Sequence, residues 1–248
     1  MSPSSQTLSS DAKVIGLVGL GHGTSHFFHL LLAPLFPWLK DAFALSYAEL
    51  GLLMTVFFVV SGAGQALAGF VVDRIGALPV LLSGLALLCL AALGLASSHS
   101  YPVLMLFSAL AGLGNSVFHP ADFTVLNRRV TVQRLGHAFS VHGLSGALGW
   151  AAAPVFMAGL ATLFHWRIAL LAAALLAFAV LAVLFTWRNL LDPGELAASV
   201  AQPTPRKSEK NESIAFMRVP AVWMCFGFFL IASLSFGGIQ SFAPAALR

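Results

Sequence analysis

Residues 21–40 read "GHGTSHFFHLLLAPLFPWLK". The stretch is apolar enough for a buried helix, yet it carries three histidines, His22, His26 and His29, and two prolines, Pro34 and Pro37. The histidines fall at i, i+4 and i+7, so a helix places them on one face. Pro34 and Pro37 each remove a backbone hydrogen bond. Within lipid such breaks are tolerated where neighbouring helices or a cavity satisfy the freed carbonyls. The stretch therefore predicts a membrane-embedded helix, polar on one face and kinked in its outer third.

The whole chain supports lipid as its solvent. Of 248 residues, 58% are hydrophobic and 9% charged, with a mean hydropathy of +0.89. A soluble domain carries about 25% charged residues, too many more for this chain to cover a water-facing surface. Apolar blocks of spanning length, roughly 20 residues at 1.5 Å rise, recur along the chain. They lie at 14–39, 47–72, 78–98, 101–126, 136–163, 165–187 and 220–244. An open sheet cannot satisfy its backbone in lipid, so the expected fold class is all-α and polytopic. The first block is too long for the apolar region of a removed signal peptide. Cys89 and Cys225 fall inside expected spans and read as small buried apolar residues.

Basic residues orient the spans. With the N-terminus in the cytoplasm, Lys13, Arg74, Arg128, Arg129, Arg134, Arg188, Arg206, Lys207, Lys210 and Arg218 lie inside, and only Lys40, Arg167 and Arg248 outside. The expected location is the inner (plasma) membrane. The net charge of +4 is thus a topology signal, and no nucleic-acid partner is expected. The run "NLLDPGELAASVAQPTPRKSEKNESIAFMRVP" separates six blocks from the seventh and reads as a polar linker with little fixed structure. The expected division is a tail at 1–13, a six-helix bundle at 14–188, a cytoplasmic linker at 189–219 and, at 220–248, the first helix of a second, truncated bundle. The missing half of the same chain is an expected partner, together with the lipid bilayer.

After the second block comes "GFVVDRIGAL", with Gly69, Asp73, Arg74 and Gly76 in a Gly-x-x-x-Asp-Arg-x-Gly pattern. Gly69 is expected at a close helix approach and Gly76 in a tight turn at positive φ. Asp73 sits at a membrane boundary, where Arg128 or Arg129 is a candidate partner. The loop resembles the signature loop of the major facilitator superfamily, although Ala77 and Leu78 stand where that pattern continues with basic residues. The resemblance implies that these residues latch a cytoplasmic gate. The sequences "GLGNSVFHPADF" (residues 112–123) and "SVHGLSGALGWAAAP" (residues 140–154) resemble the fosmidomycin-resistance-type branch of the superfamily. There His119-Pro120 is followed by Ala121 and only then by Asp122. Ser108 stands near the place of a fourth-span Arg found in many drug antiporters. The resemblance implies a secondary active transporter, not an enzyme, that exports a small organic solute or drug-like anion by alternating access, with protons as coupling partners.

Asn115, His119 and Asp122 repeat the i, i+4, i+7 spacing. The resemblance places the first and fourth helices around one central cavity, where the two stripes would meet. Histidine suits such a site, because its unperturbed pKa of about 6.5 lets small changes in exposure move its proton. His26 and His119 are expected to handle substrate or protons. For His29 and His142 that reading and interhelical hydrogen bonding both stay open. For His22, near the inner end of its span, hydrogen bonding is the expected role. Asp122 belongs either to this pathway or to the gate with Arg128 or Arg129. Pro120 joins Pro34 and Pro37 as an expected kink. His137 and His165 are expected at interfaces. Two other classes deserve weight: a His-box membrane di-iron oxidase, suggested by His22, His26 and His29, and a seven-helix receptor. The other histidines are scattered along the chain without a second box, so neither a metal site nor a cofactor is expected.

Overall fold

The computed structural model describes residues 3–192 and 218–246, and every regular element among them is helical. Two compact units divide the chain, Met1–Pro193 and Gly194–Arg248. In the first unit α1 spans Pro3–His29, α2 Phe36–Phe43, α3 Tyr47–Ile75, α4 Ala77–Ala96 and α5 Tyr101–Asn115. Then come α6 Phe118–Arg129, α7 Leu135–Leu163, α8 Trp166–Thr186 and α9 Arg188–Leu191. The second unit contributes the helix Pro220–Ala246. The expected linker falls mainly on residues 193–217, outside the described residues.

By length and composition, five described helical stretches can cross a membrane: Tyr47–Ile75, Ala77–Ala96, Tyr101–Arg129, Val132–Leu163 and Trp166–Thr186. They match the second to sixth expected spans. The first expected span is not one helix. The tail is already helical from Pro3, α1 stops at His29, and a 3-10 turn at Ala33–Leu35 leads into α2. Pro34 and Pro37 do not bend a continuous ladder as expected. Each sits in the first turn of a new helix, where the missing N–H has no partner to lose. Similarly, α5 ends at Asn115 and α6 starts at Phe118, so the fourth pass breaks before Pro120 rather than at it.

Local chemistry sets the other boundaries. Ser46 and Glu49 form a capping box at the start of α3: the Glu49 N–H donates to Ser46 Oγ (3.2 Å) and the Ser46 N–H to Glu49 Oε2 (2.8 Å). Gly76 has φ 89° and alone joins α3 to α4, the positive-φ turn expected of it. Gly69 differs from expectation: a Cβ there would meet nothing within 4 Å, so it marks no close helix approach. The tight approaches lie elsewhere. α1 packs most extensively on α7, α4 on α8, and both α3 and α4 on α5. Along the α1–α7 seam, a Cβ on Gly149 would collide with the carbonyl oxygen of Gly23.

Polar clusters close the two ends of the bundle. At one end the Asp11 carboxylate accepts from Arg134 Nη1 (2.7 Å) and Thr131 Oγ1 (2.8 Å), and Arg129 Nε donates to the Leu190 carbonyl (2.7 Å). At the other, Arg167 donates to the carbonyls of Ala96 and Ser98, and the Tyr101 hydroxyl donates to that of Glu49 (3.0 Å). Helices that traverse the bundle alternately bring these sequence-distant groups together.

Candidate functional site: a buried histidine–aspartate cluster

The histidine stripe of α1 faces α6 and α7 and meets their histidines. Asp122 on α6 is fully buried, 0% exposed. Its Oδ2 lies 3.1 Å from His142 Nε2 and 3.2 Å from His22 Nδ1. The His142 contact is aligned as a hydrogen bond. The His22 contact has ion-pair distance without hydrogen-bond alignment, and Asp122 Oδ1 has no hydrogen-bond partner. The rings of His22 and His142 stack at 3.5 Å between centroids. His26 lies 4.3 Å from His22, and His119 lies 5.0 Å from His22 and 6.0 Å from His26. Neither ring nitrogen of buried His26 has a hydrogen-bond partner.

Beyond His26 the cluster changes character. His29 stacks on His26 at 4.7 Å, and Trp150 Nε1 donates to His29 Nδ1 (3.2 Å). An indole N–H can only donate, so Nδ1 is the acceptor and the ring proton sits on Nε2. That nitrogen donates to Asn115 Oδ1 (3.0 Å). The same oxygen accepts from Ser61 Oγ (2.8 Å), while Asn115 Nδ2 donates to the Ser25 carbonyl (3.1 Å). The network thus holds His29 as a neutral imidazole with one fixed tautomer, assigned from its partners. It also ties α1, α3, α5 and α7 together.

Two features of the fold place these groups. First, both helix breaks border the cluster: α1 ends at His29 itself, and α5 ends at Asn115, just before His119. Second, Gly146 on α7 lies beneath the imidazoles. A Cβ there would stand 2.8 Å from His26 Nδ1 and 3.0 Å from His22 Nε2. A larger residue would force the His26 and His22 rings from these positions.

The structure therefore brings together His26, His29, Asn115, His119, Asp122 and His142, and adds His22 at their centre. The interhelical-glue role expected of His22 understates its place, since it touches His26, His119, His142 and Asp122 at once. Its position on the stripe was the available signal. Trp150 lies eight residues after His142, on the same helical face, a spacing visible in the sequence. Ser61 and Ser25 carried no signal. Asp122 lies with the imidazoles and not beside Arg128 or Arg129. The remaining histidines do not join: His99, His137 and His165 are exposed, and His165 Nδ1 caps α8 by accepting from the Arg167 N–H (3.2 Å). Of the expected gate residues, Asp73, Arg74 and Arg128 are exposed. Asp73 makes no ion pair with another described residue. Among the described residues, the ion pair at that end joins buried Asp11 to half-buried Arg134, which sequence reasoning missed.

These elements define a multi-pass helical membrane protein with a polar centre. Residues 18–247 match the sequence model of the Major Facilitator Superfamily, and the chain belongs to that family, a class of transporters and not of enzymes. The chain is 28% identical over 237 residues to the fosmidomycin resistance protein of Escherichia coli (strain K12), covering 90% of this chain and 55% of that protein. It is 28% identical over 226 residues to the multidrug efflux protein YfmO of Bacillus subtilis (strain 168), covering 90% and 53%. In fold it is similar to the peptide transporter POT crystallised with sulfate, with a TM-score of 0.64 at 19% identity over 93% of this chain and 48% of that one. The chain spans about half the length of these relatives.

Proposed function

We propose that the protein is a secondary active transporter that exports a small organic solute or drug-like anion by alternating access, coupled to protons. The observation that carries this reading is the buried cluster of His22, His26, His119, His142 and Asp122, shared by α1, α6 and α7 and bordered by two helix breaks. Ionisable groups inside a membrane bundle are costly and mark substrate or ion paths. Broken helices accompany such sites in transporters. The resistance and efflux named for the two bacterial relatives support export. The asymmetry of Lys and Arg supports an inner-membrane protein with a cytoplasmic N-terminus. A second bundle is proposed to complete the path, because the chain spans about half the length of its relatives. Asp73 and Arg74, with Gly76, Arg128 and Arg129, are proposed to gate the cytoplasmic end.

The test is efflux of fosmidomycin from loaded proteoliposomes, with an imposed pH gradient and with that gradient collapsed by an uncoupler. Efflux should follow the gradient. His26→Ala and His119→Ala should each lower it strongly, and the Gln variants partially, because Gln keeps a hydrogen-bonding side chain without the charge. Wild-type rates in both Ala variants would remove these residues from the path. Rates indifferent to the uncoupler would remove the proton.

A further inference from the structure

We propose that His22, Asp122 and His142 bind one divalent transition-metal cation of the zinc class, with His26 and His119 as a neighbouring ligand set reached through His22. The inference rests on reading the cluster as the transport site and adds a ligand to it. In a tetrahedral zinc site, bonds of about 2.0–2.1 Å put donor atoms about 3.3 Å apart. His142 Nε2 and His22 Nδ1 already stand 3.1 and 3.2 Å from Asp122 Oδ2. Donor atoms of the three residues all lie within 4.8 Å of one another, and so do those of His22, His26 and His119.

The hydrogen-bond record points the same way. Buried polar atoms are nearly always paired. Here His22 Nδ1, both His26 nitrogens and Asp122 Oδ1 are buried without a hydrogen-bond partner. A neutral imidazole carries one N–H and one lone pair, so the cluster offers Asp122 Oδ1 and one lone pair from each ring, and a cation among them would satisfy these by coordination. Two imidazoles with one carboxylate form a donor set that suits zinc, cobalt and nickel better than magnesium or calcium, which prefer oxygen throughout. Because both triads use His22, and because two dications a few ångströms apart would repel strongly, the cluster holds one cation and not two.

The experiment uses the purified protein carrying a histidine-free affinity tag. Cobalt(II) titration is followed by visible absorption, and zinc is competed against a chromophoric chelator. One cation per chain is expected, with a tetrahedral cobalt spectrum. His22→Gln, Asp122→Asn and His142→Gln should each weaken zinc binding more than about tenfold, while His99→Gln and His137→Gln, at exposed histidines, should not. Circular dichroism and the elution profile in detergent check that each variant is folded. No saturable binding, or binding unchanged in all three folded cluster variants, overturns the inference. Fosmidomycin efflux from proteoliposomes, measured on the same variants, separates the two readings. Lost efflux in proteins that never bound zinc leaves the transport site standing and removes the metal. Zinc binding lost from the variants with efflux intact keeps the metal site and removes the transport role.

Discussion

Gly149→Ala tests whether the α1–α7 seam holds the cluster together. The added Cβ would run into the Gly23 carbonyl oxygen, a backbone atom that cannot swing aside as a side chain can. The helices must separate, and overpacking of this kind costs about 1–3 kcal/mol. The substitution also gains helix propensity, about 0.8–1.0 kcal/mol over glycine in a helix interior. Gly143→Ala and Gly159→Ala cancel that second effect, because both lie on α7 and a Cβ at either would meet nothing within 4 Å. The difference between Gly149→Ala and these controls isolates the clash and should be about 1–3 kcal/mol. Unfolding by SDS in mixed micelles, followed by tryptophan fluorescence, measures it. Transport should fall with stability in Gly149→Ala alone, since moving α1 from α7 parts His22 from His142. If all three variants shift stability equally, the seam is not a close approach and the argument fails.

Asn115→Ala should destabilise the protein by about 1–3 kcal/mol in the same assay, because it strands His29 Nε2 and Ser61 Oγ. Trp150→Phe removes the donor to His29 Nδ1; ¹⁵N spectra of labelled histidine should then show the His29 ring leaving its single tautomer, and an unchanged spectrum would refute the assignment. Asp11→Asn should cost about 1.5 kcal/mol, at the low end for charged hydrogen bonds because Arg134 is 34% exposed. Asp73→Asn should leave stability unchanged, since that exposed carboxylate has no ion pair among the described residues, yet slow transport if the signature loop latches the gate. Equal rates at equal expression would sink the latch.

The sequence by itself determined the class of fold. Charge scarcity and the length of the apolar blocks demand lipid and helices, and five of the blocks return as crossing helices at nearly the expected positions. It also showed the His22–His26–His29 stripe, because helical periodicity is a local property. Gly76 was legible for the same reason: a signature turn needs a residue tolerant of positive φ.

Only the tertiary structure decided what the stripe meets. The distance between His22 and His142 is set by two backbones touching at Gly23 and Gly149, and no pattern within either helix encodes that contact. Asp122 had two readings in sequence, pathway or gate. Its rotation about α6, fixed by the break after Asn115, turns it onto the imidazoles. The prolines illustrate the same division. Their presence announces an interrupted helix, but where the ladder stops depends on which carbonyls the neighbours can satisfy. It stops at His29, ahead of both prolines, where the ring is held by Trp150 and Asn115 from two other helices.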